Sequence, residues 1–233
     1  MNKFSLPELS RNKRKTLLDD AMQLLDAQSQ MMRGDKNILH YTLRRRRKFV
    51  GWHHYPKGDR IDYKSGNQYY YHCHRENMHT EEHGHFHCFT RYKAIPKRIK
   101  PAALPDWDKY IDRPMTHLVA IAMNRLGQPI RLFTVNRWVT EETWYDAKHI
   151  DYFTKKFALD IEGDDYWKLL DQWIEGMMHV FAPQIIWLQH QRDAAIAKFQ
   201  KKNPGKNVFT DKSIEELSQI KISLQKQIEW LAT

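Results

Sequence analysis

Residues 69–89 read YYYHCHRENMHTEEHGHFHCF, and six of the chain's 13 histidines fall within them. Five of the six alternate with other residues: His72 and His74, then His83, His85 and His87. Alternation is the side-chain period of a β-strand, in which residues i, i+2 and i+4 share a face. The run predicts an antiparallel hairpin whose strands are joined by the polar stretch Asn77-Met78-His79-Thr80-Glu81. A register with an odd pairing sum, for example 74 opposite 85 and 72 opposite 87, puts all five imidazoles on one face. Facing Cβ atoms are then roughly 4.5–5.5 Å apart, close enough for several imidazoles to share one cation. Glu76 has the parity of His72 and His74 and can add a carboxylate, and Tyr70 has the parity to contact a ligand or substrate. The expected cofactor is a divalent ion: Zn, Fe, Cu or Mn.

A second hairpin follows. His117–Met123 and Ile130–Val135 are β-rich runs separated by the turn residues Asn124-Arg125-Leu126-Gly127-Gln128-Pro129. Leu118–Ala122 is apolar at every position, which predicts a central strand covered by helices. Before the hairpins, Ser5-Leu6-Pro7-Glu8 reads as a capping box opening a helix from Leu6 to Met32. The stretch containing Trp52, His53, His54, Tyr55 and Pro56 reads as loop.

After the hairpins the pattern is helical. Helices are expected from Glu141 to Phe157, from Asp164 or Asp165 onward with either a new start or a kink at Pro183, and finally from Ser213 through Leu217, Ile220, Leu224, Ile228 and Leu231. The expected fold is α+β: an antiparallel sheet of about four strands with flanking helices. Residues 1–160 form the α+β domain, and residues 161–233 form a helical region packed on the same body.

Composition narrows the class. Hydrophobic residues are 41% and charged residues 28%, as in a globular protein. No apolar run is long enough to span a bilayer, the start lacks a signal-peptide core, and the expected compartment is cytoplasmic. Cys73 and Cys88, one on each strand of the first hairpin, are expected reduced on the face opposite the histidines. The net charge of +10 concentrates early: residues 1–60 hold 14 Lys/Arg against 6 Asp/Glu. Arg44, Arg45, Arg46, Arg47 and Lys48 form the densest block. It reads either as a solvated segment or as a contact for nucleic acid or another anionic partner. In the cluster Asn136–Asp146, Arg137 is a candidate for binding an anionic substrate group or for a structural Arg-Glu network.

Three resemblances bear on function. Gln68–His74, Glu82–Phe89 and Leu132–Ala147 carry QYYYHxH, EHGHFHxF and LFTxNRWVTxETWYDA signatures, and the chain resembles an uncharacterised bacterial domain-of-unknown-function family. That resemblance implies no activity. His85-Phe86-His87 with Tyr152-Phe153-Thr154-Lys155 resembles the two-histidine and tyrosine motifs of HUH endonucleases, which implies metal-assisted attack of Tyr152 on nucleic acid. His83-Gly84-His85-Phe86-His87 resembles the histidine-triad signature of nucleotide hydrolases and transferases, with His85 as nucleophile. The residues themselves point to a divalent-metal site on a histidine-rich hairpin, in an enzyme rather than a store. The competing reading is a non-catalytic protein with a structural histidine network.

Overall fold

Alternation governs the centre of the chain in the computed structural model, which describes residues 4–34, 36–44, 46, 48–74, 81–104, 115–163 and 165–233. Its six strands are β1 (Tyr55–Ile61), β2 (Asn67–His72), β3 (Glu82–Arg91), β4 (Met115–Asn124), β5 (Pro129–Val135) and β6 (Glu216–Lys221). They form one antiparallel sheet in chain order. The four expected strands are its centre, and the two edge strands lie where the sequence predicts a loop and part of a helix.

β1 occupies the stretch expected as loop. It pairs Tyr55 with Tyr71 and Arg60 with Tyr69, so residues 56–59 bulge between those pairs. The bulge accommodates Pro56, Gly58 at φ +85° and Asp59 at φ +64°, residues that an uninterrupted ladder would exclude. β6 replaces the first half of the expected C-terminal helix. A register irregularity between Thr134 and Val135 leaves Leu217 as the extra residue of the ladder. Leu217 and Ile220 consequently both pack toward the helices, and a bulged strand has imitated helical spacing. Ser213, expected as a helix cap, instead bonds Asp211, its Oγ lying 2.6 Å from Asp211 Oδ1. The region 161–233 therefore contributes a strand to the shared sheet.

The helices are α1 (Arg11–Met31), α2 (Ile38–Leu43), α3 (Arg137–Thr140), α4 (Ala147–Lys155), α5 (Lys168–Val180), α6 (Ala182–Lys202) and α7 (Leu224–Ala232). α1 starts later than the expected Leu6, because Ser10 is the cap and accepts from Lys13 N at 3.4 Å. The expected helix over 141–157 is only α4, preceded by the short turn of α3. Pro183 does open α6.

These helices bury one face of the sheet. Tyr69, Tyr71, Phe86, Cys88, Ile121, Met123 and Leu132 join Leu24, Trp173, Ile174 and Met177 in the main core. Arg60 and Tyr69 converge on Asp171 of α5, with Arg60 Nη2 at 2.7 Å and Tyr69 Oη at 2.8 Å, which ties the β1 edge to the helix layer. Cys73 and Cys88 are free and buried on this side. Cys88 faces Tyr69 rather than Cys73. Helices were expected over both faces of β4, but Ala120 and Ala122 pack with Phe133 and Val135 on the other side of the sheet. No helix of the described residues is long and apolar enough to cross a membrane.

A further irregularity, between Glu82 and Gly84 in β3, sets the end of the histidine hairpin. A Cβ on Gly84 would lie 2.4 Å from the His72 carbonyl oxygen and 2.6 Å from Tyr71 Oη. The first of these is backbone and cannot step aside. Gly84→Ala should therefore lower unfolding stability by about 1–3 kcal/mol, measured as a fall in the urea midpoint at unchanged slope. A midpoint equal to that of the wild type would show that the strand ends are free to separate.

Candidate metal centre

The hairpin pairs His72 with His85 and Tyr70 with His87. Parity is as expected from the sequence, so these four side chains share one face, but the register is displaced by two residues from 74 opposite 85. The displacement carries His74 past the end of β2, where its ring lies 5.2 Å from that of His85. His72 Nε2 and His85 Nε2 are 2.7 Å apart. Nitrogens of His72, His74 and His85 all lie within 4.8 Å of one another, a grouping that can hold a metal ion. His72 and His85 are buried, and His74 is exposed.

His83 does not join them. The β3 irregularity turns its side chain to Tyr71 on the helix side, where Nδ1 lies 2.6 Å from Tyr71 Oη and the ring meets Phe49. Glu82 takes its place. The carboxylate Oε1 lies 2.6 Å from His85 Nδ1, while Oε2 accepts from Arg131 Nη2 at 2.8 Å. Burial pushes the Glu82 carboxyl up, but its bonds to His85 and Arg131 outweigh that and hold it below its usual value. A carboxylate only accepts, so His85 Nδ1 carries the proton and His85 Nε2 presents its lone pair toward His72 and His74. Glu76, the expected carboxylate ligand, lies outside the described residues.

Two more imidazoles extend the cluster. His87 Nδ1 lies 2.9 Å from His117 Nε2 on β4. The backbone N–H of His117 donates to Glu142 at 2.7 Å, and Thr116 and Thr140 donate to the same carboxyl at 3.2 Å. Burial pushes that carboxyl up to about 7. His54 stacks on Tyr70 at 3.7 Å between ring centroids, and its Nδ1 lies 2.7 Å from Asp59 Oδ1. Tyr70 thus stands on the predicted face, covered by His54. Sequence spacing did not single out Glu82, His117 or His54, because a bulge moved the first and the others come from distant strands and loops.

Burial, and then the neighbouring imidazoles, hold His72 and His87 below the ordinary imidazole value. His72 is held down to about 2 by burial and by His85. His117 is held down to about 3 by burial and by Arg192, and His87 lies well below the ordinary value for the same first reason. His74 is lowered less. Neutral imidazole is the form that binds metals.

The cluster opens on a cleft of about 1240 Å³ whose walls include Trp52, His72, His74, His85, Arg131 and Phe133. Arg137, the candidate anion contact, is buried in α3 and donates from Nε to the Glu142 carbonyl at 3.0 Å. Of the basic block, Arg44 lies over the Tyr166 ring at 4.7 Å and Arg46 over Tyr55 at 5.3 Å, while Lys48 lines the cleft. Arg45 and Arg47 lie outside the described residues. Tyr152 is exposed on α4, whose Ile150 and Phe153 enter the helix-side core. The sheet separates it from His85 and His87, so the endonuclease arrangement is not assembled. The histidine-triad alignment is also broken, since His83 leaves the face of His85 and His87.

The family model for a domain of unknown function, DUF6969, matches residues 18–222, and the chain belongs to that family. No curated protein and no solved structure matches it.

The depressed imidazoles make stability pH-dependent with a definite sign. Unfolded histidines take a proton near 6.5, whereas His72, His87 and His117 stay neutral in the folded chain well below that. Their contribution is complete above pH 6.5 and is lost as the pH falls toward the folded values. Between pH 7.5 and 5.5 each should cost the metal-free protein about 1 kcal/mol. Glu142 acts in the opposite direction between about 4.5 and 7. Urea midpoints across this range should fall with pH, and His117→Gln should flatten the slope. An unchanged slope in that variant would mean that His117 takes up protons in the folded state.

Proposed function

We infer that the protein is a divalent-metal-binding protein whose centre is His72, His74 and His85, and that it is a metal-dependent enzyme. The observation that carries this reading is the Glu82–His85 hydrogen bond at 2.6 Å, beside two further imidazoles within reach of the same ion. A carboxylate on the far nitrogen of a ligating histidine fixes its tautomer and raises its basicity. Arg131 holds Glu82 in turn, through two nitrogens at 2.8 and 3.0 Å. In a tetrahedral site with bonds of about 2.0–2.1 Å, ligand nitrogens stand roughly 3.3 Å apart. His72 and His85, whose Nε2 atoms are 2.7 Å apart, need to separate by about 0.6 Å to reach that spacing. An all-imidazole donor set favours transition metals over Mg or Ca.

When bound, such an ion supplies Lewis acidity toward an oxygen of the substrate. The chain supplies the rest. His72 and His85 fix the position from the sheet, and Ala120 and Ala122 leave space beside them. Phe133 closes one side against water, with its ring 5.0 Å from that of His85. The open cleft supports a catalytic reading over a closed structural staple, because a staple has no use for a face open to solvent.

Protein purified without a histidine tag should carry, or take up from added Zn, about one equivalent of metal. A His72→Ala, His85→Ala double variant should carry none as purified and bind added Zn only weakly. Glu82→Gln should keep the stoichiometry and weaken affinity roughly 10- to 100-fold. Wild-type protein that takes up no Zn, Fe, Cu or Mn would end this reading.

A further inference from the structure

Trp52 occupies an unusual position. Its ring stacks on His74 at 4.6 Å between centroids and 28° between planes, and meets His72 edge-on at 5.9 Å. It is 58% exposed, and it forms part of the cleft wall. Its φ is +68°, in the left-handed region that bulky side chains rarely adopt. The backbone is pinned there, because Trp52 N–H donates to the Cys73 carbonyl at 2.9 Å. A glycine would occupy this turn without strain. The residue present instead places a large indole over the one exposed imidazole of the centre and leaves much of that ring uncovered. Burial therefore does not account for the tryptophan.

The cleft indicates what would cover it. Leu39, Phe49, Ile130, Phe133 and Val139 give its wall an apolar component. Three neutral imidazoles do not compensate the charge of a divalent ion, and Glu82 and Glu216 share Arg131, so the ion together with these side chains keeps a net positive charge. The centre therefore attracts an anionic oxygen, while Trp52 offers a planar π face beside it.

We propose that Trp52 is the stacking platform of a ligand subsite, and that the cleft binds aromatic organic anions with the ring on Trp52 and the oxygen head toward the metal centre. The proposal rests on the metal reading for its anionic head but not for its stacking contact. Trp52 is a binding residue that touches the ligand.

The test uses the full chain labelled with 5-fluorotryptophan, with 2-naphthoate as the probe and its fully saturated decahydro analogue as the control. Metal content is measured on every sample. Naphthoate should shift one fluorine resonance, absent from Trp52→Gly, and should bind the Zn-loaded wild type more tightly than the saturated acid. Trp52→Gly should fold at least as stably as the wild type, keep its metal, and bind naphthoate about tenfold more weakly. Trp52→Phe, which keeps a π face, should retain most of the affinity. Equal naphthoate binding by wild type and Trp52→Gly would overturn the proposal, as would no binding to metal-loaded wild type. Loss of metal from Trp52→Gly would also overturn it, by showing that the indole serves to hold His74. If the wild type takes up no metal, the metal reading fails by itself. The stacking contact is then judged on the metal-free protein by the same fluorine shift.

Discussion

The pairing of His72 with His85 across β2 and β3 is the constraint from which the rest of the centre follows. In an antiparallel ladder it fixes which side chains share a face. With it, Tyr70 and His87 fall beside the pair, His117 reaches His87 from the next strand, and Tyr69, Tyr71, Phe86 and Cys88 go to the helices. A one-residue slip would exchange these sets, driving imidazoles into the apolar layer and tyrosines and phenylalanine out of it. The hydrophobic face thus enforces the polar one. Helix packing on the far side of the sheet holds His72 and His85 together, although the two nitrogens alone gain little from their closeness.

The irregularity at His83 is the second determinant. A regular β3 would have presented His83 to the cluster and Glu82 to the core. With Gly84 fitted against the His72 carbonyl, the strand instead presents Glu82 to His85 and sends His83 to Tyr71. This exchanges one more imidazole for the carboxylate that sets the His85 tautomer. Burial holds His72, His87 and His117 well below the ordinary imidazole value, so these three avoid the mutual repulsion that so many histidines would otherwise suffer and keep their lone pairs available.

Much of this was legible in the sequence, because period-two alternation is a strong signal where both strands are buried. The hairpin, the shared face of His72, His74, His85 and His87, and the second hairpin were all readable from alternation and turn residues. Where a bulge intervened, reading failed. The bulge of residues 56–59 hid β1 behind Pro56 and Gly58. The extra residue at Leu217 made β6 look helical, and the irregularity at His83 exchanged its role with that of Glu82. His117 and His54 were missed for a different reason: their place beside the hairpin depends on tertiary pairing that no local pattern records. The tyrosine and lysine of α4 fitted a nuclease motif by spacing alone, and the sheet separates Tyr152 from the histidines.

The central claim is that imidazoles of this sheet ligate an ion together. X-ray absorption spectroscopy of the zinc-loaded full chain tests it directly. The account predicts a first shell at about 2.0–2.1 Å with outer-shell scattering from three imidazole rings, falling to one ring in a His72→Ala, His85→Ala variant that binds weakly enough to need excess zinc. A first shell made only of oxygen, or an imidazole signal unaffected by the double substitution, would contradict it.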